Sequence, residues 1–164
     1  MVRYKELVTM KLVEKDSHEV IGDIVDTAYD SNYRKVTHLI VKNKNLIKNK
    51  FPILLSDAMV SLEDQIVYID NKNWTKENSE ISVIEPFNFL DKEIKTEKGE
   101  CVGFVKDIII DVNDGSILGF IITEGIFEDF TQGRNFIPLF YHNIIKENSI
   151  FISDKDKSNI SKNN

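Results

Sequence analysis

One cysteine in 164 residues, Cys101, rules out an internal disulfide and a thiolate metal cluster. No apolar run approaches the roughly 18 residues that a membrane-spanning helix needs. The opening MVRYKELVTM has no hydrophobic stretch of the signal-peptide kind, so a cytoplasmic location is the expectation. Cations are in deficit: 21 Lys and Arg stand against 27 Asp and Glu, a net charge of −6. That balance argues against a nonspecific nucleic-acid binder, which draws most of its affinity from a basic face on phosphates. The deficit is concentrated in residues 83–164, with 9 basic and 14 acidic residues against 12 and 13 in residues 1–82. The few glycines form no phosphate-cradling loop, since ILGF and TQGR are isolated. His18, His38 and His142 share no metal-ligand spacing. No nucleophile, base and orienting group recur in a catalytic pattern. The chain is read as non-enzymatic, with no cofactor and no metal.

What is present is a repeat. Gly22 and Gly103 lie 81 residues apart, and that offset pairs Val13 with Ile94, Glu19 with Glu100, Ile21 with Val102 and Ile24 with Val105. It continues through Asp26 with Asp107, Asp30 with Asp111, Val36 with Ile117, and Ile40 with Ile121. Further on the register slips in a loop, aligning Pro52 with Pro138 and then Tyr68-Ile69 with Phe151-Ile152. Insertions confined to loops are the mark of a duplicated domain.

Both copies read as β structure. Val20–Tyr29 and Cys101–Ile110 are rich in Ile and Val and carry an early Gly of the kind that marks a bend or bulge. Asn113-Asp114-Gly115 is a strong hairpin signal, because Gly accepts positive φ without steric cost. The matching DSNYRK of the first copy lacks Gly and reads as a longer loop. Strands follow at Val36–Val41 and Ile117–Thr123, then the Pro-containing FPILL and FIPLF, then a closing hairpin in each copy. The fold predicted is all-β, with two tandem barrels of about six short strands each. The boundaries are 1–71 for the first, 72–86 for a polar linker, 87–153 for the second, and 154–164 for an unstructured tail.

The motifs VIGDIVD (Val20–Asp26) and CVGFVKD (Cys101–Asp107), set in this order of strands and occurring twice, resemble the PRC-barrel domain. The resemblance covers about residues 5–70 and 87–153, and a bacterial protein with two tandem PRC-barrels is the nearest likeness. It implies a barrel used for protein interaction or assembly, not an active site. The partner is then one or more proteins or a second copy. Nucleic acid is not expected, and peripheral contact with a membrane protein stays open. An RNA- or ribosome-associated accessory factor is the alternative, and would work through the basic Lys42–Lys50 loop.

Asp26 and Asp107 recur at matched positions, and are read as acceptors of backbone N–H groups at a bend, since a duplicated fold keeps its structural residues in both copies. Gly22 and Gly103 follow the same logic. DVNDGS (Asp111–Ser116) fails the EF-hand template, with Gly at the fifth position and Ile122 at the twelfth. Cys101, aligned with Val20, is read as a small buried apolar residue. Candidates for an interaction surface lie where the repeats disagree: Trp74 in the linker, and Phe127, Phe130 and Arg134 in the loop Thr123–Phe136. Aromatic residues and Arg are the usual interface anchors.

Overall fold

The structure is a computed structural model and describes residues 1–43, 50–70, 87–123, 134–146, 148–157 and 160–163, without the side chains of 134 and 161–163. It is all-β, with two curled half-barrel sheets. The first unit comprises Met1–Pro86 together with Asp111–Ser116, and the second Phe87–Ile110 with Ile117–Asn164.

In the first unit a short strand β1 (Val2–Arg3) and one helical turn α1 (Tyr4–Leu7) precede the sheet. Its strands are β2 (Lys11–Glu14), β3 (Val20–Tyr29), β4 (Val36–Asn43), β5 (Lys50–Leu54), β6 (Ala58–Ser61) and β7 (Ile66–Ile69). They lie in the order β5-β4-β3-β2-β7-β6. In the second unit the strands are β8 (Glu93–Thr96), β9 (Cys101–Ile110), β10 (Ile117–Thr123), β11 (Arg134–Pro138), β12 (Ile144–Ile145) and β13 (Ser149–Ile152). Their order, β11-β10-β9-β8-β13-β12, is the same strand for strand. In both units all neighbours are antiparallel except the first and last long-range partners, β2 with β7 and β8 with β13, which run parallel.

The core of each unit follows the period-2 alternation of its strands. Leu12, Ile24, Leu39, Val41 and Val67 are buried in the first, and Ile94, Val105, Ile108, Phe120, Ile122 and Ile150 in the second. Phe89 closes against Phe120, with ring centroids 5.6 Å apart.

Register corrects the sequence alignment in two places. Leu12 sits opposite Gly22 and Ile94 opposite Gly103, so Ile94 matches Leu12 and not Val13. The missing residue lies in the turn that follows. Glu14 N–H donates to Glu19 in one copy, whereas Thr96 N–H donates to Glu100 in the other, a turn one residue shorter. Both turns use a left-handed residue at the matched position, His18 (φ 57°) and Gly99 (φ 86°). The second correction concerns proline. Ile40 pairs with Pro52 and its counterpart Ile121 pairs with Phe136, so Pro52 matches Phe136 while Pro138 matches Leu54. Two prolines two positions apart on the strand had drawn the alignment together.

Two further expectations change. The DSNYRK loop is no longer than its counterpart: Asp30 N–H donates to Lys35 and Asp111 N–H to Ser116, spanning equal lengths. Without Gly, the first loop places Tyr33 at φ 57°, and the Asp30 carboxylate caps the Arg34 and Lys35 N–H groups. The tail is not wholly unstructured either. Asp154–Lys157 forms a helical turn, α2, and Ser161–Asn163 forms β14, paired antiparallel to β11. Composition misleads there because one of its polar side chains, Asp156, is buried and caps the turn.

Candidate functional site

The matched motif residues occupy the same place in each sheet. Strand β3 bulges between Ile24 and Asp26 against β4, and β9 bulges at the matching position against β10. Immediately after each bulge comes the aspartate, opposite Ile40 in one unit and Ile121 in the other. Asp26 Oδ1 accepts the Thr27 N–H at 2.8 Å, and Asp107 Oδ1 accepts the Ile108 N–H at 2.9 Å. A bulge leaves a ladder donor unpaired, and a short carboxylate on the next residue can take it up. Asp26 also accepts the Tyr4 hydroxyl at 3.0 Å. Neighbouring Tyr29 accepts from Thr27 Oγ1 at 2.9 Å, and burial pushes its phenol far above the ordinary value. It therefore stays protonated at neutral pH.

Gly22 and Gly103 are required by close approach. A Cβ at Gly22 would lie 2.5 Å from the Lys42 carbonyl oxygen, and at Gly103 2.7 Å from that of Thr123, the matching residue. Gly115 (φ 76°) is fixed by its turn and by the first strand pair. Its carbonyl accepts the Val36 N–H at 2.8 Å, and a Cβ there would meet the Val36 carbonyl. The aspartates of DVNDGS serve that turn. Asp111 Oδ1 accepts the Asn113 N–H and amide, while Asp114 accepts the Ser116 N–H and hydroxyl. Those hydrogen bonds, more than Lys35 at 3.7 Å, hold the Asp114 carboxyl below the usual range.

Cys101 is exposed, a correction to the expected buried position. Its counterpart Val20 is 39% exposed, so the alignment stands and the error lies in equating an apolar match with burial. Partial desolvation, then hydrogen bonding to Glu93, raise the thiol pKa, so a neutral thiol predominates at pH 7. His38 Nδ1 lies 2.9 Å from Thr37 Oγ1, and burial lowers its pKa, leaving it neutral. Among the described residues no group of three or more His, Cys, Asp and Glu could hold a metal ion.

Of the candidate surface residues, Trp74, Phe127 and Phe130 fall outside the described residues. Arg134 begins β11, though its side chain is not described. The polar cluster that sequence reading missed is at the other end of the chain. Asp156 is 4% exposed, and its Oδ2 accepts from Asn143 Nδ2 at 2.8 Å, His142 Nε2 at 2.7 Å and the Ser153 N–H at 3.2 Å. Ser153 Oγ in turn accepts the Asp156 N–H at 3.2 Å. That reciprocal pair is a capping box, and Ser153-Asp154-Lys155-Asp156 carries its sequence signature. The signal was there to be read, but sat in a stretch too polar to attract attention. His142 also stacks on Phe140, with ring planes 5° apart.

Burial would raise the Asp156 pKa, but the bonds from Asn143, His142 and Ser153 together outweigh it and hold the carboxyl below the usual range. A depressed folded-state value means that stabilisation is complete above the unfolded pKa of about 4 and is lost as pH falls through the folded value. Asp156→Ala is therefore expected to cost about 2 kcal/mol at pH 7, from the buried donors left without an acceptor. Chemical denaturation at pH 7 and at pH 3 checks it: the gap between wild type and variant should narrow in acid.

Two edge strands expose large apolar side chains at matched positions. Met59 of β6 pairs with Tyr68, and Ile144 of β12 pairs with Phe151, the counterpart of Tyr68. They are 53% and 54% exposed. Tyr141, close by Ile144 in sequence, is 93% exposed. Among the described residues no helix is long and apolar enough to cross a membrane.

A comparison with curated proteins finds no match for the chain. A family model, that of the PRC-barrel domain, matches residues 83–160, the span that holds β8 to β13. Residues 83–160, a little under half of the chain, are thus identified as a PRC-barrel domain.

Proposed function

We propose that the protein is a non-enzymatic interaction or assembly adaptor built from two barrels of one design. The observation that carries this reading is the matched exposure of Met59 and Ile144 on the edge strands of both sheets. A single exposed apolar residue is ordinary. The same exposure at one fold position in two diverged copies supports a contact surface. The chemistry of the recurring polar residues supports it too, since Asp26 and Asp107 are engaged by backbone donors beside a bulge. Membership of the family fits an interaction role for the second unit.

Affinity purification of the tagged protein from its native cell, with mass spectrometry, tests the reading. Met59→Lys and Ile144→Lys should each reduce partner recovery severalfold with unchanged melting temperature. Phe127→Ala, Phe130→Ala and Arg134→Ala test the aromatic loop in the same way, and unfolding of these variants would make those residues core instead. No partner recovered at any stringency would refute the adaptor.

An RNA-associated role has one observation in its favour. Lys42 and Lys50 are both exposed and directly opposite each other on β4 and β5. Like charges so placed repel, and an anionic partner would relieve them. RNA association unchanged by Lys42→Glu and Lys50→Glu, or no association at all, would discard this role.

A further inference from the structure

Met59 and Ile144 occupy matched places, but they are held there differently. Met59 lies in β6, which is four residues long and paired along its whole length with β7. The turn before it, Leu55–Asp57, is closed by bonds of its own, from the Ala58 N–H to the Leu55 carbonyl and from the Ser56 hydroxyl to Asp57 at 3.4 Å. Ile144 lies in β12, which is two residues long and makes two pairs with β13. A strand that short has little hold of its own, so the segment before it decides whether it stays in place.

That segment is the turn Phe140–Asn143. Asn143 is 3% exposed and closes the turn twice: its N–H donates to the Phe140 carbonyl at 3.0 Å, and its Oδ1 accepts the Phe140 N–H at 2.6 Å. The amide group of the same side chain donates to Asp156 Oδ2, and the neighbouring His142 Nε2 donates to the same oxygen. Asp156 stands on α2, which Ser153 caps. One carboxylate oxygen thus ties the turn before Ile144 to the turn that follows β13. Two ion pairs also bind α2, Lys98 with Asp154 at 2.6 Å and Lys157 with Glu100 at 3.2 Å, but they join it to the turn between β8 and β9. All four of those side chains are at least 46% exposed, and ion pairs so exposed contribute little. The hold on α2 that bears on Ile144 is the buried one.

We propose that the C-terminal turn α2 regulates the contact surface at Ile144, acting through Asp156. With α2 docked, the Phe140–Asn143 turn is fixed, Ile144 is held in its short strand, and Tyr141, 93% exposed, is carried on an ordered backbone. With α2 undocked, the buried Asn143 amide loses its acceptor and the turn loses its outside anchor. A surface ordered beforehand binds more tightly than one that must be ordered on binding. The coupling is reciprocal, so a protein that engages Ile144 also draws α2 into place. Among the described residues Met59 has no such tie. One copy therefore offers a constant surface and the other a regulated one. This rests on the adaptor reading and adds regulation to the same site.

Hydrogen exchange on the full chain tests the coupling without a partner. In Asp156→Ala, protection of the Phe140 and Asn143 amides should fall about tenfold or more, while the Val105 amide, bonded to the Lys92 carbonyl in the same unit, keeps its protection. Asp156→Asn retains an acceptor oxygen and should keep most of the protection at the turn. If Asp156→Ala strips Val105 as well, Ser153→Ala, which leaves the carboxylate in place, is read for the same local loss. Protection at Phe140 and Asn143 that stays unchanged, or falls no further than at Val105 in both variants, would overturn the proposal. Partner recovery from the native cell is the second arm. Asp156→Ala should reduce severalfold the partners that Ile144→Lys loses, and spare those that only Met59→Lys loses. Recovery unaffected by Asp156→Ala would overturn the regulation and leave the adaptor standing. Recovery unaffected by Ile144→Lys would remove the surface itself, and its regulation with it.

Discussion

Phe120→Ala should destabilise the protein by about 3–5 kcal/mol, the range for truncating a fully buried aromatic residue. Phe120 is 0% exposed, at the centre of β10, flanked by Ile108 on β9 and Ile137 on β11. Its ring meets that of Phe89, itself 2% exposed, across the sheet face. Removing it strands Phe89 beside a void that two hydrogen-bonded neighbouring strands cannot collapse to fill. The first unit shows what the position tolerates, since its counterpart is Leu39, also 0% exposed. Phe120→Leu is accordingly expected to lose much less than the alanine variant. Urea denaturation of the three proteins checks both. Equal losses for Ala and Leu would mean that ring packing with Phe89, and not volume, sets the requirement.

Gly103→Val should cost about 3–4 kcal/mol, and Gly22→Val about 1–3 kcal/mol, for reasons that differ by one term. Both valines drive a Cβ against a backbone carbonyl of the next strand, at 2.7 Å from Thr123 oxygen and 2.5 Å from Lys42 oxygen. Strand separation is the only relief, and that gives up ladder hydrogen bonds. Gly103 carries the additional burden of a φ of 154°, which side chains rarely adopt. The pair of substitutions measured in the same denaturation assay isolates the backbone term. If Gly22→Val proved the costlier, close approach alone would govern both sites.

Most of the fold could be read from the sequence because duplication supplies an internal comparison. Each motif could be judged against its own copy, and Asp26 and Asp107, or Gly22 and Gly103, fell into register at once. What could not be read follows from where identity fades. A one-residue change in the turn after Glu14 leaves no trace in composition, because His18 and Gly99 reach a left-handed conformation by different chemistry. Pro52 and Pro138 attracted one another in alignment although they answer to different strand positions. The Asp156 cluster draws Asn143 and His142 to a carboxylate more than ten residues away, and only the tertiary structure brings such partners together. Exposure is the hardest to foresee. Met59 and Ile144 lie in short strands beside other apolar residues, with nothing local to mark them as the more exposed members.

The parallel pairing of β2 with β7, and of β8 with β13, carries a consequence for how the chain reaches this state. Lys11 must meet Ile66, and Glu93 must meet Ser149, before the closing hairpin of either sheet can join the strands that precede it. Everything between can form as local hairpins, but these joins close loops of more than fifty residues and bear the largest entropic cost of each unit. A chain leaving the ribosome therefore holds its first sheet open until β7 has emerged, with the apolar edges of β2 uncovered meanwhile. Weakening β7 or β13 should slow folding more than an equal loss in the hairpin of β3 and β4.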